Sequence, residues 1–144
     1  MLSTIKHLGI HLNKYVRYQH FYTRTHEVIN VISKDTVRIG PSNYAKETMG
    51  DIVFIEVNEV DNHFDKDEEI VTIESVKATS SINAPADGTI ISHNEELIDD
   101  TDKIINKSEL DSWLLEYKLD NKIDTDMLLN SQEYNNFLEN SITK

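Results

Sequence analysis

One lysine in the sequence lies where its side-chain amine could act as a nucleophile. Lys77 belongs to the sequence E-S-V-K-A (74–78), which links two β-type segments at 70–75 and 80–84. An ε-amine at a hairpin tip can be acylated, and the resulting amide is an uncharged, flexible arm on a rigid sheet. This arrangement predicts a carrier of a covalently attached group. The alternative is a solvated lysine that only prevents the sheet edge from pairing.

The neighbours of Lys77 suit an enzyme that must reach its amine. Ser75 and Ala78 are small and leave the amine accessible, while Glu74 offers an anionic contact. These neighbours are compatible with modification, although a lysine at a hairpin tip is more often only a solvated side chain.

Other patterns of chemical interest are weaker. The sequence contains no G-x-x-x-x-G-K-[ST], G-x-G-x-x-G, H-E-x-x-H or G-x-S-x-G string, and it has no cysteine, which excludes disulfides, thiolate metal sites and a cysteine nucleophile. Acidic runs at 65–69 and 99–102 lack the glycine and distal glutamate of a calcium loop, so they indicate a solvated face and no metal site. A hydrolase or isomerase built on His26, Glu27 and His93 is the alternative from another class, and it would stay active without Lys77.

Charge divides the chain into two parts. The 144 residues carry a formal net charge of −12, which repels phosphate backbones and argues against a nucleic-acid partner. No apolar run approaches the roughly 20 residues that span a membrane, so membrane insertion is not expected. Residues 1–20 contain three basic residues and no carboxylate, which leaves −15 on the remainder.

The basic N-terminal segment predicts an organelle transit peptide. On a helix, Lys6, Lys14 and Arg17 fall on one side and apolar residues on the other, as in organelle transit peptides. The predicted division is therefore a transit peptide at 1–20 and one domain at 21–144. The alternative is an ordinary terminal helix that docks on the domain.

The elements that must position Lys77 are mostly strands. Alternation of apolar and polar residues, or β-branched composition, predicts strands at 27–33, 36–39, 51–57, 70–75, 80–84, 89–92 and 113–119. Helices are predicted only at the edges, at 41–49, 124–129 and 131–138, with Pro41 opening the first and Gly50 closing it. The polar stretch 93–111 carries no predicted element. The fold class is mainly β, a small sandwich or barrel.

Several segments of the sequence resemble one known protein family. E-S-V-K-A with N-A-P-A-D-G at 83–88 closely resembles the lipoyl-lysine region of the glycine cleavage system H protein family. Y-T-R-T-H-E at 22–27 and G-D-I-V-F-I-E-V at 50–57 follow the family in order and spacing, and the resemblance covers residues 21–140. A biotinyl carrier would have methionine on both sides of its lysine, where this chain has Val76 and Ala78.

The resemblance implies a barrel-sandwich hybrid of the lipoyl/biotinyl type with short helices in the N-terminal third and at the C-terminus. It implies a non-catalytic carrier with lipoate in amide linkage on Lys77. A lipoate-attaching enzyme would recognise the residues around that lysine, which are Glu74, Ser75, Val76 and Ala78. The implied partners are glycine decarboxylase, aminomethyltransferase and dihydrolipoamide dehydrogenase.

The resemblance also implies a cleft that shelters the aminomethyl-loaded arm. In this chain Thr25, His26 and Glu27 would form it, with Thr25 and Glu27 binding an ammonium-like group through charge-assisted hydrogen bonds.

The sequence departs from the family pattern at two single positions, in one loop, and around Asn58 and Asp61, where the proline and glycine of the family are absent. Val28 replaces a tryptophan, Ser81 replaces an aspartate four residues after the lipoyl lysine, and the loop 106–113 is one residue shorter and lacks its proline and glycines. These departures leave a second hypothesis open, in which the protein is a relay that supplies lipoyl groups to other lipoyl-dependent dehydrogenase complexes.

Overall fold

The computed structural model describes residues 19–142, and this range contains nine strands and three α-helices. The strands are β1 His20–Tyr22, β2 Glu27–Val31, β3 Thr36–Pro41, β4 Ile52–Val57, β5 His63–Phe64, β6 Glu69–Ser75, β7 Thr79–Asn83, β8 Gly88–His93 and β9 Leu115–Leu119. The α-helices are α1 Asn43–Met49, α2 Glu95–Asp99 and α3 Ser131–Ile142. Short 3₁₀ segments occupy Thr101–Asn106, Leu110–Ser112 and Thr125–Met127. The predicted transit segment lies outside the described residues, apart from Gln19 and His20.

The strands form two antiparallel sheets. The first has six strands in the order β1-β2-β3-β9-β8-β5, and the second has three in the order β4-β6-β7. Inward residues of both sheets share one core, which includes Ile29, Val37, Ile39, Ile55, Ile73 and Ile82. Each such buried side chain contributes about 1.5–3 kcal/mol of transfer free energy. The predicted fold class, a mainly β barrel-sandwich with few short helices, is confirmed.

The predicted strands at 27–33 and 36–39 are confirmed as β2 and β3, and they form a hairpin that carries the start of β2 to the edge of α1. Its register pairs Glu27 with Pro41 and Val31 with Val37. Because Pro41 is the last residue of β3 and not the first of a helix, the predicted start of α1 is wrong by two residues. Ser42 is the N-cap instead, and its hydroxyl accepts the Ala45 N–H at 3.1 Å.

Helices also occur where none was predicted. The polar stretch 93–111 contains α2 and two 3₁₀ segments, so the prediction of helices only at the edges is wrong. Leu97 and Ile104 from this stretch lie fully buried in the core. The apolar residues of this stretch occur as the pairs 97–98 and 104–105 and at Leu110, which forms no recognisable helical period, yet two of them anchor the segment.

The C-terminal region packs on the first sheet through a second cluster. Tyr22, Val28, Leu129 and Tyr134 are buried together, and the Tyr22 and Tyr134 rings stack with centroids 4.2 Å apart. The predicted helix at 131–138 is confirmed and runs to Ile142, whereas the one at 124–129 is reduced to the 3₁₀ turn Thr125–Met127. Among residues 19–142 there is no helix of the length and apolarity needed to cross a membrane.

Candidate functional site

The tip between β6 and β7 is a tight turn built by Ser75. The last paired residues are Glu74 and Thr79, and the Ser75 N–H donates to the Ala78 carbonyl oxygen at 2.9 Å. The Ser75 hydroxyl donates to the same oxygen at 3.0 Å and accepts the N–H groups of Lys77 and Ala78 at 3.3 and 3.2 Å. The turn therefore holds Lys77 outward through its own short-range hydrogen bonds.

The amine of Lys77 is free to react. The side chain is exposed, and within the described chain no carboxylate or other acceptor bonds its Nζ. It lies over Gly50, where a Cβ in place of the glycine hydrogen would be 3.5 Å from Cε and 3.8 Å from Nζ. The Val76 N–H donates to the Asp51 carbonyl oxygen at 3.0 Å, which fastens the tip to the segment between α1 and β4.

A cleft of about 150 Å³ opens beside this tip. The three predicted cleft residues, Thr25, His26 and Glu27, line it together. The opposite walls come from α1 and from strands β6 and β7, through Tyr44, Ala45, Thr48, Met49, Ile73, Ser80, Ser81 and Ile82. The structure therefore brings the predicted residues to one place, a few residues from Lys77 along β7.

Glu27 is the only carboxylate among the residues that line the cleft. It is only 6% exposed, and the hydroxyls of Thr23 and Thr25 each donate to its Oε1 at 2.7 Å. Burial raises the pKa of the Glu27 carboxyl above its ordinary value, and the bonds from the two threonines lower it in part. Oε2 accepts no hydrogen bond from the described residues, so a cationic ligand could bind there.

His26 forms part of the cleft wall, and its backbone is strained. Its backbone has φ 74°, in the left-handed region. Its Nδ1 shares a 2.8 Å hydrogen bond with the Tyr134 hydroxyl, which in turn bonds the buried Ser42 hydroxyl at 2.8 Å. The His26 ring also packs on Tyr44, with centroids 4.6 Å apart. Burial lowers the pKa of the His26 imidazole below its ordinary value, which favours the neutral ring.

Sequence reasoning missed two of these features. Thr23 is a second donor to Glu27, and the threonines two and four residues before the glutamate were the signal that could have revealed it. Tyr134 is separated from His26 by more than a hundred residues, and nothing local connects them.

The departures from the family pattern fall in different places. Ser81 lines the cleft, whereas Val28 is buried in the cluster with Tyr134. The loop 106–113 contributes nothing to the cleft lining but contacts Lys46, whose Nζ donates to the Ser112 hydroxyl at 2.7 Å. Only Ser81 therefore changes the polar lining of the cleft.

The alternative site built on His26, Glu27 and His93 does not form. His93 is absent from the cleft lining, and its Nε2 donates to the Asn58 carbonyl oxygen at 2.8 Å. His26 and Glu27 thus lack the second histidine that the hydrolase or isomerase hypothesis required.

Two antiparallel sheets around one core, with an exposed lysine at a hairpin tip, define a barrel-sandwich domain of the lipoyl type. The family model described as "Glycine cleavage H-protein" matches residues 20–141. The chain is 37% identical over 118 residues to a glycine cleavage system H protein of Halothermothrix orenii, covering 82% of this chain and 91% of that one. It is 33% identical over 141 residues to the mitochondrial H protein of Drosophila melanogaster, covering 97% and 85%.

A solved structure agrees with the sequence comparisons. The crystal structure of a glycine cleavage system H protein from Mycobacterium marinum has a TM-score of 0.74 and 29% identity, covering 86% of this chain and 98% of that one. The chain belongs to the glycine cleavage H-protein family. Proteins of this family carry lipoate covalently on a lysine, and the exposed amine of Lys77 fits that attachment.

Proposed function

We propose that this protein is the lipoyl-lysine carrier of a glycine cleavage system, with lipoate attached at Lys77. It would pass the aminomethyl group of glycine from glycine decarboxylase to aminomethyltransferase, and dihydrolipoamide dehydrogenase would reoxidise the arm. The chain itself would catalyse none of these steps. The observation that carries the proposal is the unpartnered amine of Lys77 on a rigid tip beside a cleft with one buried carboxylate.

The tip residues would present the amine to a lipoate-attaching enzyme. Ser75 fixes the turn, and Val76 is 67% exposed next to Lys77. Glu74 is also exposed, and Ala78 adds no bulk. Because the turn is held by its own hydrogen bonds, an enzyme can enclose it without unfolding the sheet.

The cleft residues would shelter the loaded end of the arm. Lipoate supplies a dithiol on which the aminomethyl group is carried. Glu27 offers its free Oε2 to the amine while Thr23 and Thr25 hold Oε1, and a charge-assisted hydrogen bond in a half-enclosed site is stronger than one in water. His26, through Tyr134, keeps the wall in place.

Intact-mass measurement tests the attachment. After co-expression with a lipoate-attaching enzyme, we expect the wild type to gain one lipoyl group and Lys77→Arg to gain none. The matched control Lys66→Arg changes an exposed lysine on another turn and should be lipoylated like the wild type. Lipoylation of Lys77→Arg, or none in the wild type, would overturn the proposal.

Ser81 supports a second candidate function, the lipoyl relay to other dehydrogenase complexes. Where the family pattern has an aspartate, Ser81 leaves Glu27 without a second carboxylate in the cleft lining. Reconstitution of glycine decarboxylation with the partner enzymes separates the two candidates. Loading of the lipoylated protein supports the glycine cleavage carrier, and full lipoylation without loading supports the relay.

We also propose that residues 1–20 direct the protein to the mitochondrial matrix and that residues 21–144 form the carrier domain. The basic, acid-free composition of the segment and its coverage by the alignment to the Drosophila mitochondrial relative support this. Fused to a fluorescent reporter, the segment should bring the reporter to mitochondria. Cytosolic fluorescence from an unprocessed fusion would refute the assignment.

A further inference from the structure

Helix α1 forms one wall of the cleft but has few apolar contacts of its own to hold it there. Four of its side chains line the cleft, namely Tyr44, Ala45, Thr48 and Met49. Of the seven residues that the structure assigns to α1, Met49 alone is both apolar and buried. Because a helix of this length is not stable in isolation, contacts with other segments must fix the position of this wall.

The loop 106–113 makes such contacts on the side of α1 that faces away from the cleft. Lys46 is only 4% exposed and does not line the cleft. Its Nζ donates to the Lys107 carbonyl oxygen at 3.0 Å and to the Ser112 hydroxyl at 2.7 Å. The Ser112 hydroxyl in turn donates to the Ser108 carbonyl oxygen at 2.8 Å. The middle of α1 is thereby attached to a loop that is itself held by hydrogen bonds.

Glu109 attaches the same loop to the first turn of α1. Its Oε2 accepts the Asn43 N–H at 2.7 Å, and its Oε1 accepts a hydrogen bond from the Tyr22 hydroxyl. The first turn of α1 contains no acidic residue, so Glu109 supplies the negative charge that stabilises the N-terminus of a helix. One carboxylate therefore joins the loop, α1 and β1.

Lys46 and Glu109 also affect each other. Burial lowers the pKa of the Lys46 amine, and the negative charge of Glu109 raises this pKa in part. Since a buried ammonium group is costly without a nearby anion, loss of Glu109 also weakens the attachment made by Lys46. We call these two residues together the α1 clamp.

We propose that Lys46 and Glu109 are positioning residues for the cleft, although neither side chain lines it. The α1 clamp holds the back of α1 and thereby sets the spacing between this wall and Glu27 on the opposite wall. Without the clamp, α1 moves away and water reaches an aminomethyl group bound at Glu27. The inference rests on the proposed function of the cleft.

The lifetime of the aminomethyl-loaded protein tests the α1 clamp. Glu109→Ala should make the hydrolytic release of ammonia about threefold faster, and Glu109→Gln, which keeps one acceptor for the Asn43 N–H, should restore part of the lifetime. Tyr117→Phe is the control, because it removes a buried hydroxyl that donates to the Ala86 carbonyl oxygen at 2.7 Å, away from both the cleft and the clamp. Equal rates in Glu109→Ala and Tyr117→Phe would overturn the proposal.

A double variant separates positioning from a general loss of stability. Glu27→Gln removes the carboxylate that would hold the amine, so the position of the opposite wall should then matter little. In this background, Glu109→Ala should accelerate ammonia release by less than about 1.5-fold. The full threefold acceleration in the double variant would show that Glu109 acts independently of the cleft and would overturn the proposal.

Methyl NMR of the unmodified protein tests the geometry without lipoate. Glu109→Ala should shift the signal of Met49 on α1 and those of Ile73 and Ile82 across the cleft. Leu110→Ala is the matched control in the same loop, since Leu110 is 38% exposed and does not line the cleft, and it should leave these signals unchanged. Unchanged signals in Glu109→Ala would overturn the inference. Failure of the proposed function would be seen separately, as a lipoylated wild type that glycine decarboxylase does not load.

Discussion

The hairpin tip and the cleft place their polar groups in opposite environments. At the tip, Lys77 and Val76 are exposed, and the contacts that hold the turn are made by the backbone and by Ser75. In the cleft, Glu27 is buried and both it and His26 have shifted pKa values. The difference indicates that the tip presents its lysine to solvent, whereas the environment of the cleft residues is set by the fold.

This contrast also separates stability from function. Substitution at the tip should remove a reaction and leave the fold intact, because few core contacts are lost there. Substitution in the cleft should affect both, because its polar groups also join β2, α1 and α3.

The largest expected effect is on the lifetime of the aminomethyl-loaded protein. Glu27→Gln removes the carboxylate that would bind the amine, and a hydrogen bond to a charged group contributes about 1.5–3 kcal/mol. Hydrolytic loss of the aminomethyl group should therefore be about tenfold faster or more. The release of ammonia measures this rate. Glu74→Gln, at the exposed tip, is the control and should not change the rate. An unchanged rate in Glu27→Gln would mean that Glu27 does not protect the aminomethyl group from water.

Among the substitutions that remove one hydroxyl group, Tyr134→Phe should lower stability the most. It removes the hydroxyl that bonds both His26 and the buried Ser42, and leaves a buried hydroxyl without that partner. The free energy of unfolding should fall by about 1–3 kcal/mol in a urea titration. Tyr44→Phe changes another ring that contacts His26 and should stay within about 0.5 kcal/mol of the wild type. Equal losses of unfolding free energy in the two variants would mean that the hydrogen bonds of the Tyr134 hydroxyl contribute little to stability.

The lowered pKa of His26 predicts a pH dependence of stability. Below its ordinary value of 6.5, the unfolded chain binds a proton that the folded imidazole resists, so stability is lost as pH falls through this window. The raised pKa of Glu27 acts in the opposite direction, with stability falling as pH rises above 4.5. His26→Asn removes only the first contribution, and asparagine tolerates a positive φ.

Urea titrations at about pH 7.5 and about pH 5.5 measure this difference. The wild type should lose more free energy of unfolding than His26→Asn on acidification. An equal or smaller loss in the wild type would show that His26 does not titrate differently in the folded state.

The smallest effect is expected at the tip. Ser75→Ala removes three short contacts on an exposed turn and should cost about 0.5 kcal/mol. Amide exchange at Lys77 and Ala78 should become faster while exchange in the β6–β7 ladder is unchanged. Ser141→Ala, which removes one hydroxyl contact in α3, is the control and should leave exchange at the tip unaltered. A change that spreads through the ladder would show that the turn supports the whole sheet.

The tip was predictable from the sequence because its structure is local. Strands at 70–75 and 80–84 follow from the alternation of apolar residues, and the four-residue connection 76–79 between them predicts a hairpin turn. The contact of Lys46 with the loop 106–113 was not predictable, because an exposed lysine and a buried one look alike in a sequence. The helix α2 was missed because Leu97 is a single buried residue in an acidic segment.

The assembly of the cleft, in contrast, could not be predicted from local sequence. The family resemblance indicated Thr25, His26 and Glu27, but no local pattern indicated that α1 and β7 would face them. That proximity depends on the packing of the three-stranded sheet against the six-stranded one, and so on many side chains at once.

The sequence by itself indicated seven of the nine strands, a candidate carrier lysine and the family, because strand periodicity and a hairpin motif are properties of short segments. The tertiary structure alone decided that Glu27 is buried, that Ser81 is the departure that changes the polar lining of the cleft, and that the cleft opens beside Lys77. Burial and cavity shape arise from contacts between segments far apart in the chain, and those contacts exist only once the sheets have packed.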